Sequence, residues 1–202
     1  MRILKITVIL LSLMVASVPA LYAGVTIGQK APDFTLMDSN NQRHYLSNYQ
    51  GKYVVLEWVN YDCPFTKKHY DSHNMQNLQK EYTQKGVVWL SINSSEEGKQ
   101  GHFSAQQVND LIKAKAAAPT AYLFDAKGGV GRIYGAKTTP HMFIVDTKGK
   151  VIYQGAIDDK PTPDLADISR AHNYVKAALD EVLAGKDVTT PMTTSYGCGV
   201  KY

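Results

Sequence analysis

The sequence predicts one α/β domain in which helices cover both faces of a mixed central sheet. Two nearly continuous apolar runs, residues 53–59 and 87–92, are typical of strands buried on both faces, and a helical pattern separates them. Residues 142–145 and 151–153 flank a polar turn and predict a hairpin. Alternating strands and helices, followed by a hairpin and a last helix, indicate a three-layer α/β/α arrangement.

The other elements follow from local patterns. Residues 63–85 predict a helix that could be kinked or restarted at residues 71–74, and Gly86 ends it. Ser104 and Gln107 have the spacing of a capping box at the start of the next helix. Short strands are predicted at residues 34–37 and 121–124. The last helix is predicted at residues 167–184 and an irregular tail at residues 188–202.

The first 23 residues predict a secretory signal peptide. Two basic residues precede the apolar run 6–18, and cleavage fits after Ala20 or, as we favour, Ala23. An uncleaved anchor is the alternative, but the run is short for a bilayer span. We therefore expect a periplasmic or secreted protein without stable membrane association, with residues 24–187 as its domain and residues 188–202 as a flexible tail.

The composition narrows the classes of partner. The net charge of +4 is small and evenly spread, and cleavage of the basic amino terminus lowers it further. Such a charge does not indicate nucleic acid or an anionic membrane surface as partner. The two cysteines, Cys63 and Cys198, are too few for a disulfide scaffold, so they form a staple, a redox pair, or a working thiol with a helper.

Cys63 follows a predicted buried strand and begins a predicted helix, with Pro64 in the first helical turn. A sulfur at that place meets unpaired backbone N–H groups and the positive end of the helix dipole, which lower the pKa of a thiol. Lys67 and Lys68 add positive charge nearby. We expect a reactive thiolate open to solvent; a small buried apolar residue is the alternative.

Thr139-Pro140 stands directly before the predicted strand that begins at His141. Proline at the entrance of a strand belongs to an edge or a special turn. The X-Pro bond is also the one peptide bond for which the cis form costs little.

Cys63-Pro64 at a strand-to-helix junction, with Thr139-Pro140 before a later apolar strand, resembles the thioredoxin superfamily. Residues 27–34, Ile-Gly-Gln-Lys-Ala-Pro-Asp-Phe, resemble the opening of its redoxin branch, which includes the alkyl hydroperoxide reductase and thiol-specific antioxidant (peroxiredoxin-like) proteins. The similarity covers residues 25–185. It implies a thioredoxin-like fold and a cis bond at Thr139-Pro140 beside Cys63, with the backbone there as a docking edge for an extended substrate.

The resemblance also implies a role for Glu57, six residues before Cys63, where thioredoxins carry a buried acid. Burial would raise the pKa of this carboxyl and would let it move protons to or from the thiol. The alternative is a carboxylate at a solvated edge or paired with a lysine.

The chain departs from both relatives at the presumed site. Thr66 occupies the place of the second thioredoxin cysteine, and it is also the place of the peroxide-reactive cysteine of peroxiredoxins. The arginine that peroxiredoxins carry before the later strand is represented by Pro140. A peroxidase would therefore lack its usual activating groups, while Thr139, Pro140, Pro64 and Thr66 are the expected substrate-binding residues.

Cys198 lies between Gly197 and Gly199 near the end of the chain, where we expect a mobile and approachable thiol. Three interpretations remain: a resolving cysteine for Cys63, a permanent staple that ties down the tail, or a thiol that pairs between chains.

The six histidines raise a metal hypothesis. His69, His73 and His141 with Cys63 would form a set of nitrogen and sulfur ligands that suits copper or zinc. We favour exposed histidines, and the sequence predicts neither a metal nor another cofactor.

The leading hypothesis is an exported thiol–disulfide oxidoreductase with Cys63 as nucleophile, Glu57 as proton carrier and Cys198 as resolving thiol. Its expected partners are a disulfide-bearing protein, or a small oxidised thiol or peroxide, and a redox donor protein. The alternatives are a thiol-dependent peroxidase and a non-catalytic module that binds a metal or a protein.

Overall fold

The computed structural model describes residues 24–202, so the predicted signal peptide lies outside the described residues. The strands are β1 (Thr35–Asp38), β2 (Arg43–Tyr45), β3 (Val54–Trp58), β4 (Val88–Asn93), β5 (Ala121–Phe124), β6 (Thr138–Thr139), β7 (His141–Val145), β8 (Val151–Gly155) and β9 (Cys198–Gly199). The α-helices are α1 (Pro64–Asp71), α2 (Asn74–Gln84), α3 (Ala105–Ala114), α4 (Gly129–Tyr134) and α5 (Tyr174–Leu183). Two 3-10 turns span Leu46–Tyr49 and Leu165–Arg170.

Seven strands form the central sheet in the order β2-β1-β5-β4-β3-β7-β8. The pairs β3–β4 and β4–β5 are parallel, whereas β3–β7, β7–β8, β1–β5 and β1–β2 are antiparallel. The predicted mixed sheet and its hairpin are therefore confirmed. Strand β3 lies in the interior of the sheet between β4 and β7, and this explains why its five residues are all buried.

Alternate residues of the central strands face two separate cores. One core joins Val55 and Val59 to side chains of α2, α3 and α5, such as Leu78, Val108 and Leu179. The other joins the opposite face of the sheet to α4 and the first 3-10 turn. Helices thus cover both faces, as the three-layer prediction required.

Two predicted helices are interrupted. The restart foreseen at residues 71–74 is confirmed: the helix over residues 63–85 is divided into α1 and α2 because His73 adopts a left-handed backbone conformation (φ 60°). The helix predicted over residues 167–184 is wrong in its first part, which forms the second 3-10 turn. Helix α5 starts later because the Asn173 side chain accepts a hydrogen bond from the Lys176 N–H and caps it. The capping box of Ser104 and Gln107 at α3 is confirmed.

Candidate active site

Cys63 lies where the chain leaves the carboxyl end of β3 and enters α1. It is the N-cap residue of α1, and Pro64 follows at the first helical position. The Cys63 N–H donates to the Asn60 carbonyl oxygen at 3.0 Å, which holds the turn between strand and helix. The prediction of a sulfur at the amino end of a helix is therefore confirmed.

The cis-proline segment packs directly against this sulfur. The Thr139-Pro140 bond is cis, and the Cys63 thiol donates a hydrogen bond to the Thr139 carbonyl oxygen at 3.0 Å. Strand β7 begins after Pro140 and pairs with β3, so that His141 lies opposite Trp58. This pairing brings residues far apart in sequence to the same end of the sheet.

The carboxyl-terminal tail covers the same place. Strand β9 pairs antiparallel with β6, with Cys198 opposite Thr139, and the Cys198 backbone N–H lies 3.4 Å from the Cys63 sulfur as a hydrogen-bond donor. Both cysteines are free thiols. The structure therefore brings together Cys63, Thr139, Pro140 and Cys198.

The exposure predicted for Cys63 is wrong. The Cys63 side chain is 0% exposed rather than open to solvent, because β6 and β9 enclose it. The tail is irregular apart from β9, and it is hydrogen-bonded to the domain at several points. Its contacts include the Val200 N–H to the Lys137 carbonyl and the Glu96 N–H to the Lys201 carbonyl. A backbone that pairs with a strand edge satisfies donors and acceptors that solvent would otherwise have to satisfy.

Gly197 allows this close approach. Its φ of 132° is one that L side chains rarely adopt, and a Cβ there would collide with the Thr139 carbonyl oxygen. The glycine therefore lets the tail lie flat on the cis-proline segment.

The two thiols differ in acidity. Burial raises the pKa of Cys63, but the neighbouring side chains of Cys198 and Thr139 and the backbone N–H groups of Thr66 and Cys198 outweigh burial and hold that pKa below its usual value. The Thr66 N–H belongs to the first turn of α1, as the helix-terminus argument predicts. Burial, the hydrogen bond to the Cys63 sulfur and the negative charge of that sulfur raise the pKa of Cys198 to about 11. Cys63 is thus the more acidic thiol of the pair.

The remaining predicted substrate-binding residues lie on the first turn of α1. Pro64 is exposed beside Cys63, whereas Thr66 is fully buried, and its hydroxyl has no hydrogen-bond partner among residues 24–202. Lys67 is exposed, but Lys68 is buried with the carboxylate of Asp158 3.4 Å away.

Glu57 is fully buried in β3, so its alternative placement at a solvated edge is wrong. Its carboxyl accepts hydrogen bonds from four side chains: Tyr70 (2.9 Å), Gln79 (3.2 Å), Trp89 (2.8 Å) and Ser91 (2.8 Å). Burial raises the pKa of Glu57, although these four donors oppose the shift. Within the described part of the chain no hydrogen bond joins Glu57 to Cys63, so the carboxyl ties α1 and α2 to β4.

The histidines named as metal ligands lie apart and do different things. His73 is exposed. His141 is buried, and its Nδ1 accepts a hydrogen bond from the Lys137 N–H at 3.2 Å. His69 is buried against Asn74 and Tyr196. Over residues 24–202 no group of three or more His, Cys, Asp or Glu side chains is arranged to hold a metal ion.

The fold and sequence have clear relatives. The family model described as "AhpC/TSA family" matches residues 27–154, which is more than half of the chain.

The chain belongs to the AhpC/TSA family.

Proteins of known sequence or structure resemble this AhpC/TSA chain over most of its length. A hypothetical protein from Sinorhizobium meliloti 1021 has 28% identity and a TM-score of 0.76, covering 89% of this chain and 96% of its own. An uncharacterized conserved protein from Geobacillus kaustophilus has 26% identity and a TM-score of 0.76, with coverages of 89% and 94%. The thiol-disulfide oxidoreductase ResA of Geobacillus thermodenitrificans is 29% identical over 158 residues, 74% of this chain and 84% of that protein. The predicted thioredoxin-like redoxin fold is confirmed.

Sequence reasoning missed part of this AhpC/TSA site. Tyr196 of the tail meets Asp158 and Lys68 close to the two cysteines. Neither Tyr196 nor Asp158 was singled out from the sequence, and Lys68 was named only as a nearby positive charge. The only available signal was Tyr196, an aromatic residue two positions before Cys198 in an otherwise small and polar tail. In the part of the chain that the structure describes, no helix has the length and apolar character needed to cross a membrane.

Proposed function

We propose that this chain is a thiol–disulfide oxidoreductase in which Cys63 attacks and Cys198 resolves. The observation that carries the proposal is the position of Cys198. Its strand β9 pairs with β6, and this pairing places the Cys198 N–H 3.4 Å from the Cys63 sulfur. The relative from Geobacillus thermodenitrificans is itself named a thiol-disulfide oxidoreductase, which supports the same chemistry here.

The proposed reaction has two exchange steps. The Cys63 thiolate attacks one sulfur of a substrate disulfide, so that a Cys63–substrate bond forms and the other substrate sulfur leaves as a thiolate that takes a proton. Cys198 then loses its proton and attacks the Cys63 sulfur, and the first substrate sulfur leaves. Two electrons pass from the cysteine pair to the substrate, and the protein ends with a Cys63–Cys198 disulfide. The same steps in reverse oxidise a dithiol.

The pKa values support this order of attack. A thiolate is the nucleophile in disulfide exchange, and Cys63 is the thiol whose pKa is lowered. The negative charge of Cys63 is one cause of the raised pKa of Cys198. Once Cys63 is bonded to substrate this charge disappears, so Cys198 becomes easier to deprotonate only after the first step. The charge of the Cys63 thiolate thus keeps Cys198 protonated until the mixed disulfide has formed.

Substrate access requires the tail to move. Because Cys63 is fully enclosed and β9 occupies the edge of β6, a substrate has to displace β9 and pair with Thr138–Thr139 in its place. A groove lined by Lys137, His141 and Met192, among others, continues from this edge. We therefore propose an extended segment of a disulfide-bearing protein as substrate, with a second redox protein restoring the starting state.

Export is part of the proposal. Disulfides persist in oxidising compartments outside the cytosol, where disulfide-bearing substrates are most common. The signal-peptide pattern in residues 1–23 supports a periplasmic or secreted location.

The test combines mass measurement with two variants. In the reduced protein both thiols should be alkylated after unfolding. After mild oxidation the mass should fall by two hydrogens and neither thiol should react. Cys198→Ser should accumulate a mixed disulfide with insulin or another disulfide-bearing substrate, while Cys63→Ser should form none.

Two results would contradict the proposal. One is a Cys198→Ser protein that completes turnover at the normal rate. The other is rapid conversion of Cys63 to a sulfenic acid by peroxide without any disulfide exchange, which would favour the peroxidase alternative.

A further inference from the structure

Tyr196 is anchored in a buried polar cluster on the domain, two residues before Cys198. Its hydroxyl donates a hydrogen bond to the Asp158 carboxylate and lies 3.2 Å from Nε2 of His69. Its ring packs against Phe65 with a centroid distance of 5.9 Å, and the Lys68 ammonium lies 5.6 Å from the ring centroid. The tail is thus held at Tyr196 by groups that belong to α1 and to the segment after β8.

The hydrogen bonds of this cluster run in one direction. The Asn74 amide donates to Nδ1 of His69 at 2.9 Å, so that Nε2 carries the proton and donates to the Tyr196 oxygen. The Tyr196 hydroxyl is then free to donate to Asp158. Burial lowers the pKa of His69 to about 4, with Lys68 acting in the same direction and Asp158 opposing, so the ring is neutral near pH 7 as this arrangement requires.

The cluster is built with buried charge. Asp158, Lys68 and His69 are at most 2% exposed, and the Lys68 ammonium is bonded to the Lys160 carbonyl at 2.7 Å and lies 3.4 Å from Asp158. Placing charged groups in the interior is costly, and apolar residues would hold a tail equally well. Hydrogen bonds are directional, so the polar cluster holds the Tyr196 ring in one position and orientation relative to α1.

That place matters because α1 also carries Cys63 at its N-cap. Lys68 and His69 follow Cys63 by little more than one helical turn, and Tyr196 precedes Cys198 by two residues. The anchor therefore connects the two sulfur-bearing segments through a short and rigid path. A loose tail would place Cys198 near Cys63 for only part of the time.

We propose that Tyr196 is a positioning residue for disulfide exchange, which fixes Cys198 against Cys63 through its bonds to Asp158 and His69. The inference rests on the proposed function. Its consequence is a high effective concentration of the Cys198 thiol at the Cys63 sulfur, which speeds the resolving step and favours the Cys63–Cys198 disulfide at equilibrium. The first attack by Cys63 does not need Tyr196.

The test is Tyr196→Phe, which keeps the ring and removes only the hydroxyl. We measure the equilibrium of the Cys63–Cys198 disulfide against glutathione, the rate of resolution, and the rate at which Cys63 attacks a small aromatic disulfide. The expected result is a loss of about tenfold or more in the equilibrium constant and in the resolution rate, since a hydrogen bond to a charged acceptor is lost. Attack on the small disulfide should be unchanged or faster.

Tyr202→Phe is the matched control. It removes a different hydroxyl of the same tail, which donates to the Ala136 carbonyl at 2.7 Å outside the cluster. This variant should keep the parent's equilibrium constant. Thermal unfolding of the reduced proteins separates a general loss of stability from a change in the disulfide equilibrium.

The outcomes also separate this inference from the proposed function. A parent protein that forms no Cys63–Cys198 disulfide contradicts the proposed function itself. A parent that forms it while Tyr196→Phe forms it equally well, or while Tyr202→Phe loses it equally, overturns only the role of Tyr196. If Tyr196→Phe fails to fold, alkylation of Cys198 in a reduced Asp158→Asn protein gives the answer. Faster alkylation than in the parent supports the anchor, and an equal rate overturns it.

Discussion

Thr139 and Cys198 are register partners in the small β6–β9 sheet, and the Cys63 sulfur forms a hydrogen bond with the backbone of each. The sulfur donates as a thiol to the Thr139 carbonyl, whereas the Cys198 N–H donates to the sulfur. One bond persists only in the thiol form, and the other strengthens in the thiolate form. The chain thereby places its own tail where the proposed substrate would pair.

Gly197→Ala should open the tail. The new methyl group would overlap the Thr139 carbonyl oxygen and would have to adopt a φ of 132°, so we expect β9 to separate from β6. The measurement is the alkylation rate of Cys63 in the folded, reduced protein, which should rise severalfold. The control is Gly199→Ala, where a Cβ would lie 4.0 Å from the Lys137 carbonyl oxygen and no positive φ is required. Equal rates in both variants would argue against a covering role for the tail.

Replacement of Cys198 should change the acidity of Cys63. Among the groups that lower the pKa of Cys63, the hydrogen bond from Cys198 is the largest, so Cys198→Ala should raise this pKa. Cys198→Ser retains a donor and should raise it less. The thiolate absorbance of each variant, followed against pH, gives the comparison. Identical titration curves for the alanine and serine variants would show that the donor does not act on Cys63.

Glu57→Ala should destabilise the domain strongly. It leaves the Trp89, Ser91, Gln79 and Tyr70 donors without their acceptor, and each buried donor left unsatisfied costs about 1–3 kcal/mol. Urea unfolding measures the loss. The control is Glu97→Ala, at an exposed position, which should change the free energy of unfolding by less than about 0.5 kcal/mol.

Glu57→Gln examines the predicted proton transfer, because it keeps the shape of the side chain and removes its titration. If Glu57 moves protons for Cys63, the pH profile of exchange should lose the limb that Glu57 contributes. A profile that is unchanged in shape would leave Glu57 with a structural role only.

Two buried histidines should make the protein sensitive to mild acid. Burial lowers the pKa of both His69 and His141 from 6.5 to about 4; Lys137 adds to the shift at His141. Between these values the unfolded chain binds protons that the folded chain does not, so stability is present above pH 6.5 and is lost as the pH falls toward 4. Each histidine accounts for roughly 3 kcal/mol across that window.

Urea unfolding at several pH values between 7.5 and 4 measures this effect. His141→Gln should show a smaller loss of stability over the window than the parent. His73→Asn, at an exposed residue whose left-handed backbone asparagine tolerates, should keep the parent's dependence. A parent protein equally stable at both ends of the window would refute the prediction.

Much of the architecture follows from local sequence. The apolar runs at β3 and β4, the capping box at α3 and the hairpin of β7 and β8 are each specified by neighbouring residues, because burial pattern and turn chemistry act over short distances. The resemblance of residues 27–34 and of Cys63-Pro64 to a known family also predicted the overall fold and the cis bond before Pro140. The sequence indicated a possible break at residues 71–74, but the left-handed conformation of His73 and the 3-10 turn before α5 were not recoverable from periodicity.

Sequence by itself determined the thiol at the head of α1 and the strand that contains Glu57, since both depend on residues next to them in the chain, but it left the burial of the Glu57 carboxyl open. Only the tertiary structure decided that Cys63 is enclosed, that the tail forms β9 on the cis-proline edge, and that Tyr196 meets Asp158 and His69. Those contacts join residues that lie between 38 and 135 positions apart in the chain. Their geometry depends on how the packed layers bring the chain ends together, which no local pattern encodes.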